Sequence, residues 1–387
     1  MTRVGLVVNP VAGLGGRVGL GGTDGPDRAR TALSLGARPL AGARAAAALG
    51  ELVARTGESA RDGLLVVTAA GRLGADSVAA AGLTERIVYA AGAGRDTSAA
   101  DTATAVRAVV AEGVDLLLFA GGDGTARDVL GALGTPGAPN DVPCPVLGVP
   151  TGVKMHSAVF AVGPRAAGEV AAAWLARAGG VRLRDAEVMD RDEDALGEGR
   201  VTSRLFGWLP VPDVPVRVQQ RKTGSTAASP GAVGGIAAEV AERVGEGLLV
   251  LGPGSTTRAV AAALGADVSL TGVDALALRP GHPPRIVARD AGEDTLLALG
   301  PAWIAVSPIG GQGFLLGRGN QQISPRVLRA AGGRERLLVL CTEAKLAALG
   351  GRPLLLDTGD DALDAELSGH LPVITGRRRT SLYRLAS

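Results

Sequence analysis

Five short apolar runs, Val4–Val8, Leu64–Thr68, Arg86–Ala90, Asp115–Ala120 and Pro145–Val149, alternate with Ala-rich stretches of helical length. Those stretches include Ala41–Arg55, Ala75–Ala81 and Ala99–Glu112. A strand with one wet face alternates apolar and polar residues, whereas a nearly continuous apolar run marks a strand covered on both faces. Residues 1–165 are therefore expected to form an α/β domain: a Rossmann-like parallel sheet with helices on both faces. In such sheets ligands bind at the C-terminal ends of the strands, where glycine turns lead into helices.

The pattern changes after about residue 180. Val181–Met189, Val201–Leu209 and Val214–Gln219 follow one another without long helices between them. Helical stretches at Gly231–Val244 and Thr256–Leu264 interrupt further strand-like runs at Ala302–Val306, Leu337–Leu340 and Pro372–Thr375. A β-rich domain with helical insertions is expected over residues 180–387, its last segment able to pack back on the first domain. The helix-like Ala166–Ala178 spans the boundary.

A chain of 387 residues has room for two such domains. With aromatics at only 2%, the cores must be aliphatic, and with 59 glycines only clustered glycines beside strands carry weight. The formal charge of +2 is nearly balanced, and the one basic run, Arg377–Arg379, has no interleaved aromatics, so no nucleic-acid partner is expected. Two cysteines far apart suggest a reducing compartment. The N-terminus runs straight into a strand that Asn9-Pro10 ends, leaving no signal-peptide stretch, and no apolar run reaches membrane-spanning length. A cytoplasmic protein with no membrane partner is the expectation.

The chemistry concentrates where Asp115–Ala120 enters Gly121-Gly122-Asp123-Gly124-Thr125, followed by a helical Ala126–Leu133. Strand, glycine turn and helix together aim unpaired N–H groups and a helix dipole at an anion. Thr125 suits either a helix cap or a phosphate contact. Asp123 is poorly placed for simple phosphate binding. It suits accepting a proton from an attacking hydroxyl, or holding a metal that bridges phosphates. The plainer alternative is a tight turn in which Asp123 caps the helix.

This pentapeptide resembles the signature of the NAD kinase and diacylglycerol kinase superfamily, and more loosely that of phosphofructokinases. The resemblance implies ATP-dependent phosphorylation of a hydroxyl with Asp123 as general base, Mg²⁺ or another divalent cation accompanying ATP, and a homo-oligomer, dimer or tetramer. Further segments carry it. Val4–Val8 runs into Asn9-Pro10-Val-Ala-Gly13-Leu-Gly15-Gly16, similar to the superfamily's opening loop, in which Asn9, Gly13 and Gly16 would face the nucleotide. Gly21-Gly22-Thr23-Asp24-Gly25 resembles a long branch grouped with acetoin-catabolism X proteins, which implies substrate contacts for Thr23 and Asp24. Gly152-Val-Lys154-Met-His156-Ser157, after the strand Pro145–Val149, points to the same branch.

Lys154 is one of three lysines, with Lys222 and Lys345, in a chain that otherwise uses arginine. At a strand end it suits a phosphate, or else a solvated surface. His156 reads as a structural histidine before an acid–base group. Gly252-Pro-Gly254-Ser255-Thr256-Thr257 repeats the strand–glycine–helix logic, with Ser255 and Thr256 as helix caps, and resembles the Thr-Gly-Ser-Thr loop of NAD kinases. A competing match, Lys222–Thr226, lacks a buried strand before it. Asp185-Ala186-Glu187-Val-Met-Asp190 stands where NAD kinases carry an Asn-Glu or Asn-Asp pair, which marks Glu187 and Asp190 for the substrate. Ala186 replaces the asparagine, and a site built around an amide binds poorly without it.

Arg318 and Asn320, in Gly317-Arg-Gly-Asn-Gln-Gln, suit phosphate or base-edge recognition. Asp357 and Asp360, in Asp-Thr-Gly-Asp, suit Mg²⁺ or ribose hydroxyls, or a plain Asx turn. Three functions follow: a kinase acting on a hydroxyl of NAD(H) or a related nucleotide, a kinase of another small alcohol or lipid, or a nucleotide-binding accessory protein without turnover.

Overall fold

A computed structural model describes residues 2–20, 26–57, 63–92, 97–134, 142–152, 155–177, 181–191, 203–214, 217–218, 230–309 and 312–387. Internal contacts divide the chain into two compact units. The first comprises residues 1–14, 23–29 and 38–221, and the second residues 15–22, 30–37 and 222–387.

The first unit is built on a parallel sheet of β1 (Thr2–Val8), β2 (Leu64–Ala69), β3 (Glu85–Tyr89), β4 (Leu116–Gly121) and β5 (Val146–Pro150), ordered β3-β2-β1-β4-β5. Helices α1 (Ala41–Thr56), α2 (Ala75–Ala80), α3 (Ala99–Ala111), α4 (Asp123–Leu133) and α5 (Pro164–Leu175) accompany it. Every residue of β4 and β5 is buried, which is why these strands read as unbroken apolar runs. In this unit the core is aliphatic apart from an edge-to-face pair of Phe119 and Phe160, with ring centroids 5.4 Å apart; in the second unit Phe314 is buried as well. Five expected strands and three expected helices lie within two residues of their sequence positions.

An antiparallel ribbon, β6 (Arg182–Arg191) with β7 (Ser203–Asp213), belongs to this first unit, although the sequence pattern assigned it to the second domain. Of the strand expected at Val214–Gln219, only Val214, Arg217 and Val218 are among the described residues, and Val218 forms an isolated bridge with Ala161.

The second unit holds a mixed nine-stranded sheet: β8 (Gly247–Leu251), β9 (Asp274–Leu278), β10 (Arg285–Ala288), β11 (Trp303–Val306), β12 (Phe314–Leu316), β13 (Leu337–Leu340), β14 (Leu354–Leu356), β15 (Gly369–Gly376) and β16 (Arg379–Ala386). The order is β10-β9-β8-β11-β13-β15-β16-β14-β12, with β8, β11, β13 and β15 mutually parallel. Helices α6 (Pro230–Val244) and α7 (Ser255–Leu264) flank β8, and Ile236, Val240, Val260 and Ala261 pack with Leu249 and Leu251. This strand-rich sheet with helical insertions is the expected architecture. No described helix is long and apolar enough to cross a membrane.

Candidate functional site

In the first unit β1 and β4 are neighbours, but the chain visits β2 and β3 on one side before crossing to β4 and β5 on the other. The turns after β1 and β4 therefore diverge at the switch point of the sheet, where open α/β sheets bind ligands. Both turns carry the residues marked in the sequence. Asn9 N donates to Ala120 O at 2.9 Å, and Asn9 Nδ2 donates to Thr125 Oγ1 at 2.9 Å, tying the two turns together. Gly13 has φ +79°, and a Cβ there would fall 1.9 Å from the carbonyl oxygen of Thr151, so only glycine fits. Gly122 and Gly152 face each other, each Cα within about 3.2 Å of where the other's Cβ would be.

The glycine-rich pentapeptide is less of a loop than expected. Helix α4 begins at Asp123, not Ala126, so Asp123, Gly124 and Thr125 form its first turn and Gly122 is the N-cap. The first intrahelical bond is Ala126 N to Gly122 O, and no side chain caps this end. The N–H groups of the first turn have no intrahelical partner, so they and the helix dipole present a start for an anion. Thr151, which closes onto Gly121 through its N–H at 2.9 Å, is 8% exposed and its Oγ1 has no hydrogen-bond partner. A buried hydroxyl left without a partner marks a place for a water or a ligand atom.

Asp123 does not cap its own helix. Its carboxylate, 7% exposed, accepts from His156 N at 2.7 Å and Ser157 N at 3.0 Å, with His156 Nδ1 at 3.2 Å. The segment that supplies these donors is held at both ends. Thr151 N bonds Gly121 O, while Gly148 N donates to Val159 O and Ala158 N donates to Glu187 O. Ser157 Oγ bridges to the backbone of Met189, donating to its O at 2.8 Å and accepting from its N at 2.9 Å. Asp123 is thus the point at which the turn after β5 is fastened to α4.

Glu187 and Asp190 lie on β6 in the same unit. Asp190 pairs with Arg127 at 3.3 Å. Next to it, burial pushes the Asp128 carboxyl up to about 6, against the Arg127 charge and with help from Asp190. Ala186 is fully buried opposite Leu209, so no polar side chain stands at that position of the ribbon. Lys154, Thr23, Asp24 and the competing Lys222–Thr226 segment lie outside the described residues.

In the second unit, the turn after β8 leads into α7, whose first residue is Ser255. Gly254 occupies the N-cap with φ +137°, so the expected capping by Ser255 and Thr256 does not occur. Instead Thr257 Oγ1 donates to Gly254 O, and Gly252 N bonds Ala305 O. Lys345 Nζ reaches Ser307 Oγ at 2.9 Å and Thr256 Oγ1 at 3.4 Å, which puts a cation beside the start of α7. Sequence reasoning gave Lys345 no role; its rarity among arginines was the available signal. Gly16 lies against Gln321, with room for a Cβ only 3.2 Å from that side chain.

The late motifs are tied down internally. The Arg318 guanidinium pairs with Asp357 Oδ2, with both Nε and an η-nitrogen at 3.0 Å, and lies over the Phe314 ring at 4.6 Å. Asn320 closes its own turn, accepting from Gly317 N and donating to Leu315 O. Asp360 caps the helix Asp361–Leu367 by accepting from Leu363 N, and its bond with Arg329, at 2.8 Å, pulls the carboxyl down to about 2. Both cysteines are buried, and burial pushes each thiol up to about 11, which keeps them out of nucleophilic chemistry.

The order β3-β2-β1-β4-β5, with a glycine turn and an uncapped helix start at its switch point, defines a doubly wound α/β protein of Rossmann-like kind. Residues 4–178 match the family model of the ATP-NAD kinase N-terminal domain, and residues 243–385 that of the ATP-NAD kinase C-terminal domain. The chain belongs to the NAD kinase-like superfamily. No curated protein and no solved structure matches it.

Proposed function

We propose that this protein transfers the terminal phosphoryl group of ATP, taken up as its magnesium salt, to a hydroxyl of NAD(H) or a related nucleotide. The observation that carries this reading is the uncapped start of α4 at the switch point, beside the unpartnered hydroxyl of Thr151. The acceptor oxygen attacks the γ-phosphorus, the bond to the bridging oxygen breaks, and ADP leaves with its electron pair. Catalysis of this kind rests on positioning and charge neutralisation. The amides of Gly122, Gly124 and Thr125, with Asn9, Gly13, Gly121 and Lys154, would hold phosphates. Asp123 supplies the negative charge that draws off the acceptor's proton.

In the second unit, Gly252–Thr257 with Lys345 is suited to a further anionic group of a nucleotide. Gly16 serves the turn after β1. Taken unit by unit, Thr23, Asp24, Glu187 and Asp190 of the first unit are proposed substrate contacts, and so, separately, are Arg318, Asn320, Asp357 and Asp360 of the second, through the turns they fasten. No cluster of three His, Cys, Asp or Glu side chains gathers among the described residues, and magnesium beside a nucleotide usually needs only one or two protein carboxylates. Magnesium then travels on the nucleotide's phosphates, as it commonly does. A cytoplasmic homo-oligomer, dimer or tetramer, completes the reading.

The test offers purified protein ATP, Mg²⁺ and a panel of NAD, NADH, nucleosides and diacylglycerol, with products followed by chromatography and phosphorus NMR. A phosphorylated dinucleotide formed together with ADP supports the reading. Turnover only on a lipid or small alcohol, or nucleotide binding with no turnover, overturns it. The buried Ala186 favours that last outcome over the lipid, since it removes an amide from the acceptor's surroundings without disturbing the fold.

A further inference from the structure

In the second unit, residues 317–324 form a turn that is held at both ends. Arg318 is paired with Asp357, Asn320 closes onto Gly317 N and Leu315 O, and Ile323 N bonds Asn320 O at 2.9 Å. Ser324 Oγ donates to Glu293 Oε1 at 2.5 Å. Within this fixed turn Gln322 is 5% exposed, and its Oε1 has no hydrogen-bond partner. A buried carboxamide oxygen without a donor costs stability, so one kept in so firm a turn marks the place of a donor from outside the chain. Residues 15–20 belong to the same unit and lie against this amide. Leu20 N bonds Gly15 O, and Glu293 N bonds Arg17 O at 3.0 Å, which fastens that glycine turn to the helix Glu293–Ala298. Gly19 has φ +80°, and a Cβ on it would stand 4.0 Å from Gln322 Nε2, so bare backbone faces the amide there. The next residue, Ile323, meets Gly252, with its Cδ1 3.6 Å from where a Cβ would stand, three residues before α7 begins at Ser255. The unpartnered oxygen therefore adjoins the turn proposed above to hold an anionic group of the nucleotide.

We infer that Gln322 reads a base of the acceptor nucleotide, its Oε1 accepting a hydrogen bond from an NH₂ group carried on a heteroaromatic ring. The inference rests on the nucleotide reading above. NAD carries two such groups, the exocyclic amine of adenine and the carboxamide of nicotinamide, whereas diacylglycerol carries none. A site built around a buried acceptor rejects a ligand that brings a second acceptor to it.

Calorimetry on the full-length protein compares NAD with two analogues. In the hypoxanthine dinucleotide an oxygen replaces the adenine amine, and in the nicotinic acid dinucleotide a carboxylate replaces the carboxamide. The wild type is expected to bind at least one analogue roughly 10- to 100-fold more weakly than NAD. Gln322→Met keeps the length of the side chain and removes the acceptor, so the analogue whose penalty it abolishes names the base. Without ligand, this variant is expected to melt within about 3 °C of the wild type or above it, because it deletes a buried oxygen that no group satisfies. Three results overturn the inference alone: a wild type that binds both analogues as tightly as NAD, a variant that discriminates as the wild type does, or a ligand-free variant that melts lower than that margin, which would make the amide a structural group. A wild type that binds none of the three dinucleotides overturns the nucleotide reading and the inference together.

Discussion

Replacing Asp123 by Asn changes one oxygen to an NH₂ at a position only 7% exposed. The native carboxylate accepts at both oxygens, from His156 N at 2.7 Å on Oδ2 and from Ser157 N at 3.0 Å on Oδ1. An amide has one acceptor, so whichever way it is turned, its NH₂ confronts a peptide N–H. A buried donor left without an acceptor costs about 1–3 kcal/mol, and the remaining bond loses its charge assistance. Together these give a loss of roughly 2–4 kcal/mol.

For a unit of this size each kcal/mol lowers the melting temperature by about 2–4 °C, so the first unit should melt roughly 5–15 °C lower. Amide exchange at His156 and Ser157 should quicken by roughly 30- to 1,000-fold, at a tenfold change per 1.4 kcal/mol. The assay is a thermal melt of both proteins, paired with residue-resolved hydrogen exchange. A variant that melts within about 1 °C of the wild type, with unchanged exchange at both amides, refutes the clamp.

Asp128 has a folded pKa of about 6 against 3.8 when unfolded, so the folded state holds its proton more tightly. Its stabilisation is complete below pH 3.8 and is lost as pH rises through 6; Asp128→Asn should flatten the fall in stability between pH 4 and 6 and raise stability at pH 7 by about 1–2 kcal/mol, read from denaturant titrations. Gly13→Ala meets the Thr151 carbonyl and a positive φ, and should cost at least about 2 kcal/mol in chemical denaturation while weakening ATP binding by calorimetry. Asp357→Ala removes the carboxylate paired with the buried Arg318 guanidinium and should cost about 3–5 kcal/mol, whereas a double change of Arg318 and Asp357 to apolar residues should recover much of it; additive costs in the double-mutant cycle would contradict the pairing.

The strands and helices of the first unit were legible because burial on both faces leaves an unbroken apolar signature, as in β4 and β5. The start of α4 was not. Gly124 is a poor helix former, and the first turn stands because Asp123 is held from outside, by a segment 33 and 34 residues further along the chain. No local pattern announces such partners. The same distance concealed the fate of Arg318, whose partner Asp357 is 39 residues away, and the proximity of Lys345 to Thr256, 89 residues apart. Polar residues on glycine turns read as ligand contacts because the sequence shows their chemistry and not their neighbours.

The most direct test of the nucleotide site is backbone amide protection with and without ATP and Mg²⁺. Bound phosphate is expected to slow exchange at Gly122, Gly124 and Thr125, the open end of α4, together with the turn from Thr151 to Ser157. Saturating nucleotide that leaves those amides exchanging at their unliganded rates would mean that the phosphates are held elsewhere.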